Sequence, residues 1–187
     1  MRFVLIVAAL MLSACAPTDN TAETAAGCAR SATHQVTWSA EGAADTITTR
    51  ADGPTCAQAV VTLVARNAAG DPLWAFASTY YDITMGGVPP EGAPAVSEAQ
   101  MDTFLAGWAD VTVQHSGELP EWREGFETLS ASAQTFSYDT PFDRETYEML
   151  RARNLTMICY AAAVEGSQCL IIDPASHAPI MMVAYGP

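Results

Sequence analysis

The histidines His34, His115 and His177 are the first places to look for chemistry, because imidazole is the side chain best suited to proton transfer near neutral pH. A hydrolytic site would set one of them beside a serine and an orienting acid. Serines are plentiful, yet none stands in a G-x-S-x-G elbow. His34 alternates with Val36 and Trp38 on one strand face, which makes it a packed or rim residue. His115 falls in the turn Val113-Gln114-His115-Ser116-Gly117 and His177 in the turn Asp173–His177. The three lack the spacing of zinc ligands, and no EF-hand loop is present. Glu118, Glu121, Glu124 and Glu127 recur every third residue and read as the wet side of a helix, away from Trp122, Phe126 and Leu129. Asp143 and Glu145 could form an acid and base pair, but helix capping explains both. Trp74, Phe76, Tyr80 and Tyr81 would line a groove if their strand face were open. Since both faces of that hairpin are apolar, they read as core.

The start of the chain carries a different kind of chemistry. Arg2 supplies a positive charge, Phe3 to Met11 an apolar run, and Leu12-Ser13-Ala14-Cys15 a small-residue processing site. This quartet resembles the lipobox of signal peptidase II substrates, and the first fifteen residues resemble a bacterial lipoprotein leader. The apolar stretch to Leu12 is about half the length needed to span a bilayer. The resemblance implies that 1–14 are a signal peptide and that Cys15 becomes the first mature residue, carrying three acyl chains. One chain gives only reversible membrane binding, whereas three make a near-permanent anchor. Ala16 stands where an aspartate would resemble an inner-membrane retention signal, so the expected address is the outer membrane, on its periplasmic face.

Beyond Cys15 stand Cys28, Cys56, Cys159 and Cys169. An even number in an oxidising compartment predicts two disulfides, with three possible connectivities. None of the four lies in a Cys-X-X-Cys motif or at a helix N-terminus, where a thiol enzyme would keep its nucleophile. A hairpin at the start of the domain brings Cys28 near Cys56, leaving Cys159 with Cys169. That second pair is uneasy, because a tight turn centred on Glu165-Gly166 carries Cys159 past Cys169 to the neighbourhood of Asp173.

The elements that must position these residues follow from patterning. Residues 16–27 hold no large apolar side chain and form, with Cys15, a flexible tether. Residues 28–187 are long enough for one domain with a sizeable core. Strands are expected over His34–Ser39, Thr46–Arg50 (polar, suited to an edge), Ala59–Arg66 and Leu73–Tyr81, together making an antiparallel meander. Gly86–Pro94 breaks regular structure. A helix follows, capped by Ser97 with Gln100 closing a capping box and Val96 as staple, its apolar stripe Met101, Phe104, Leu105 and Trp108. Further helices are expected from Pro120 to about Ala131 and from about Arg144 to Arg153, the last capped by Asp143. Strands over Thr156–Ala163, Cys169–Ile172 and Ile180–Tyr185 finish the chain. The fold class is α+β: a mainly antiparallel sheet covered on one side by two or three helices.

Charge narrows the function classes. The chain has 21 acids, 8 arginines and no lysine, and loss of Arg2 with the leader takes the formal charge from -13 to -14. Such a surface repels nucleic acid and anionic headgroups, and leaves basic proteins as electrostatically sensible partners. The expectation is a lipid-anchored periplasmic binding module without catalysis or cofactor. The alternatives are an envelope hydrolase using His115 or His34 with a serine and Glu121 or Asp143, and a structural component of an outer-membrane assembly.

Overall fold

Among the described residues, nine strands form two antiparallel sheets rather than the one sheet expected. A computed structural model describes residues 27–40, 42, 44–87, 91–132 and 136–187. The leader and nearly all of the tether, 1–26, lie outside the described residues.

The first sheet is the meander β1 (Cys28–Val36), β2 (Asp45–Gly53), β3 (Val60–Arg66) and β4 (Pro72–Thr79), in that spatial order. β1 starts six residues before the expected His34 and pairs with β2 from Cys28↔Gly53 to Val36↔Asp45. That long register makes β1 the edge and moves the threonine-rich β2 into the interior of the sheet. Its inward positions Ile47, Thr49 and Ala51 are fully buried. The Thr49 hydroxyl is satisfied there by donating to the Leu105 carbonyl at 2.9 Å. Asp45, fully buried where β2 begins, accepts from the Trp38 and Ser39 amides and the Ser39 hydroxyl, at 3.0, 2.6 and 2.6 Å. These bonds hold Trp38 in the core although the strand has already ended. β3 buries Val61, Leu63 and Ala65 on one face, while Val60 on the other is half exposed, so the hairpin is not apolar-buried on both sides.

β4 stops at Thr79, short of the expected Tyr81. The Thr79 hydroxyl accepts from the Asp82 amide at 3.1 Å and caps the short helix α1 (Tyr80–Met85). α2 (Glu98–Ala109) has the predicted Ser97/Gln100 capping box. Met101, Leu105 and Trp108 are buried, with Phe104 and Val96 packed against the same core.

The second sheet has the order β5-β7-β8-β9-β6, from β5 (Thr112–His115), β6 (Ser137–Asp139), β7 (Thr156–Ala163), β8 (Gly166–Ile172) and β9 (Pro179–Gly186). α3 is only Leu129–Ser132, and the helix expected from Pro120 is absent over 119–128. Gly125 at φ 86° turns the chain, and side chains hold the loop instead. The Trp122 amide donates to the Glu148 carboxylate at 2.6 Å, and its indole to the Phe126 carbonyl at 3.0 Å. Trp122 and Leu129 are buried as expected, but Phe126 is 40% exposed. α4 (Arg144–Ala152) is capped by Asp143, whose carboxylate accepts from the Thr146 amide at 2.8 Å.

Two cores sit on opposite faces of the second sheet, so its covering is not one-sided. Ile158, Tyr160 and Leu170 join Ile47, Leu63 and α2 in a core shared by both sheets. Two hydrogen bonds rivet that junction: the Trp108 indole to the Ala161 carbonyl at 2.9 Å and the Trp74 indole to the Tyr160 hydroxyl at 3.0 Å. Met157, Cys159, Cys169 and Ile171 pack on the other side with Trp122, Leu129, Tyr147 and Leu150. Both disulfides form, Cys28–Cys56 and Cys159–Cys169. The expected obstacle to the second pair is removed by the hairpin itself. Ala163 pairs with Gly166 around Val164-Glu165, and a bulge between Ala161 and Ala163 shifts the register so that Cys159 faces Cys169 directly.

Candidate functional site

Each histidine has its own setting. His34, on the edge strand β1, places Nε2 3.3 Å from Asp110 Oδ1, just past the end of α2. His115, at the end of β5, places Nδ1 3.6 Å from Glu118 Oε1. His177 occupies a left-handed turn position, φ 57°, with its amide bonded to the Asp173 carbonyl. Ser116, the neighbour of His115, is fully buried and already committed. Its hydroxyl donates to the Leu150 carbonyl and accepts from the Leu155 amide, at 2.9 and 2.8 Å. Asp143 spends its carboxylate on the α4 cap. Glu118, Glu121, Glu124 and Glu127 share no helix, so the expected acidic stripe is not formed. Among the described residues no three His, Cys, Asp or Glu side chains gather as a metal site.

The open space of the molecule lies elsewhere. A cleft of about 460 Å3 runs between α2 and the second sheet, lined by Phe104, Gly107, Trp108, Asp110 and Tyr160 among others. A second cleft, about 440 Å3, follows the β7–β8 hairpin and the end of β9, with Asp139 and Glu165 in its wall. Ser167 and Tyr185 line both, so the clefts adjoin. Volumes of this size hold small ligands or a few residues of peptide.

The aromatic side chains build the wall and the floor. Phe104 stacks on Trp108 with ring centres 5.5 Å apart, and Phe76 meets Trp108 edge-on at 6.2 Å. Tyr160 is pinned below them, accepting from Trp74 and donating to Gln168 at 2.8 Å. Burial pushes its hydroxyl above the ordinary tyrosine range, with the Trp74 bond opposing. Trp74, Phe76 and Tyr80 therefore do pack against the core as expected, and Tyr81 is buried, while their partner Phe104 reaches the cleft.

No protein-family model, curated protein or solved structure matches this chain. The site is therefore read from its own geometry. Gly107 matters because a Cβ added there would meet nothing within 4 Å, so this point of α2 is open toward the cleft. Asp110 matters because it is an acid at the C-terminal end of a helix, where the aligned carbonyls already carry partial negative charge. Sequence reasoning passed over Gly107, Asp110, Ser167 and Tyr185. The one local clue was Asp110, an acid at the wrong end of a well-capped helix. The others meet only through the strand order. No helix among the described residues is long and apolar enough to cross a membrane.

Proposed function

We propose that this protein is a lipid-anchored periplasmic interaction module, tethered to the periplasmic face of the outer membrane through acylated Cys15. The adjoining clefts on the second sheet carry this reading, because they offer a preformed, aromatic-walled surface on a two-core body. The leader resemblance supplies the address, and the tether lets the domain reach partners near the membrane. A basic periplasmic protein fits the formal charge, whereas nucleic acid does not. The hydrolase alternative loses support from the commitments of Ser116 and Asp143 to backbone groups, which occupy the oxygens that a catalytic site would need.

The test is a crosslinking pull-down from the cell envelope with a soluble Cys15→Ser domain carrying an ordinary export signal. One stoichiometric basic protein is the expected result. A folded, doubly bridged domain that enriches nothing overturns the reading. Palmitate labelling of the wild type, lost in Cys15→Ser, checks the anchor separately.

A further inference from the structure

We infer that the two adjoining clefts form one groove for an extended basic segment of a partner polypeptide, with a Lys or Arg side chain seated against Asp110. This inference rests on the interaction-module reading and gives that reading a place and a ligand chemistry. Among the described residues, every charged side chain lining either cleft is acidic: Asp110 at one end, Asp139 and Glu165 at the other. At the first end the partial negative charge of the α2 terminus adds to the Asp110 carboxylate. A carboxylate there works against the helix, and among the described residues only the half-exposed His34 stands within ion-pair distance of it. A cationic side chain from outside relieves the same repulsion.

The apolar part of the groove suits the same guest. The half-buried Phe104 and Tyr185 line it, and a guanidinium or ammonium group gains from an aromatic face while its hydrocarbon stem covers the ring. Ser167 and Gln168 add short polar partners along the middle. Several arginines of this chain are already occupied: Arg30 by Asp102 and Glu98, Arg50 by Asp52, and Arg151 by Glu148. None of these three neutralises the groove from within.

The experiment uses the soluble Cys15→Ser domain and a labelled probe peptide, acetyl-Gly-Arg-Gly-Lys-Gly-Arg-Gly-amide, read by fluorescence anisotropy. The control peptide replaces arginine by citrulline and lysine by norleucine, keeping length and removing charge. The basic peptide is expected to bind and its neutral counterpart to bind about tenfold more weakly. Asp110→Asn and Asp139→Asn should each weaken binding severalfold. Gly107→Leu should abolish it by filling one end, with a circular dichroism melt no lower than the wild type's, because leucine replaces glycine at an open position within a helix. A control double variant at exposed acids that line neither cleft, Asp52→Asn/Asp71→Asn, should bind as the wild type does. Equal loss in that control variant, or full binding by Gly107→Leu, overturns the groove and leaves only diffuse attraction to an acidic surface. If the pull-down partner is captured equally by Gly107→Leu, the groove fails while the interaction module stands. If the wild type binds neither peptide nor partner, both fail.

Discussion

Arg30 on β1 grips Asp102 on α2 with two of its nitrogens, one at 2.7 Å, and reaches Glu98 at 3.2 Å. The hydrogen bond to Arg30 and its charge hold the Asp102 carboxyl below the ordinary aspartate range, against a smaller opposing effect of burial. A depressed folded-state pKa gives stability that is present above the unfolded value and lost as pH falls through the folded one. The pair should therefore matter above about pH 4 and fade in stronger acid. Carboxyl carbon NMR should show Asp102 titrating below the unfolded aspartate position, and Arg30→Gln should return it there. Titration of the wild-type group at the ordinary position would mean that the pair does not persist in solution. At this scale the sequence was only partly readable. Asp143 declared its capping role because its partner is three residues away. Asp45 and Asp102 gave no sign, since what they bind comes from other elements.

α2 links the two sheets and supplies one wall of the groove, so its start controls more than local helicity. Removing the Ser97 hydroxyl that accepts from the Gln100 amide, by Ser97→Ala, should cost about 1 kcal/mol. Urea unfolding should show a lower midpoint with an unchanged slope, and no loss of midpoint would mean that the cap is redundant. α2 and α4 were legible because caps and stripes are local. The helix expected from Pro120 was not. Its apolar spacing looked right, but Gly125 needs a positive φ and Trp122 satisfies its amide through Glu148. β2 was misplaced at an edge for a related reason: threonines look like solvent until a neighbouring strand and a helix carbonyl cover them. The register of β7 and β8 depended on the turn falling at Val164-Glu165 and on a bulge before it, neither of which an alternation pattern announces.

At the scale of the whole molecule, two disulfides of unequal span close the described residues, with sequence separations of 28 and 10. Loop-closure entropy assigns about 3.6 kcal/mol to the longer loop and about 2.7 to the shorter. Replacing Cys28 and Cys56 together by alanine should therefore destabilise by about 1 kcal/mol more than replacing Cys159 and Cys169. Denaturant midpoints of the two double variants measure this, and a reversed order would show that packing at the β7–β8 pair outweighs chain entropy. The groove was the least legible feature at this scale. Gly107, Asp110, Ser167 and Tyr185 come from three separate parts of the chain, and only the order β5-β7-β8-β9-β6 fixes which of them meet.

The position of Cys28 also has a mechanical meaning. β1 is an edge strand, and a strand at an edge can be peeled from its end one rung at a time under a small force. Its first residue, paired with Gly53, is also fastened covalently to Cys56. A pull arriving from the amino-terminal side thus meets a sulfur–sulfur bond before it reaches any rung of the ladder. Were the domain held by its leading end, as proposed above, the strand taking the load would be one that cannot unzip from there.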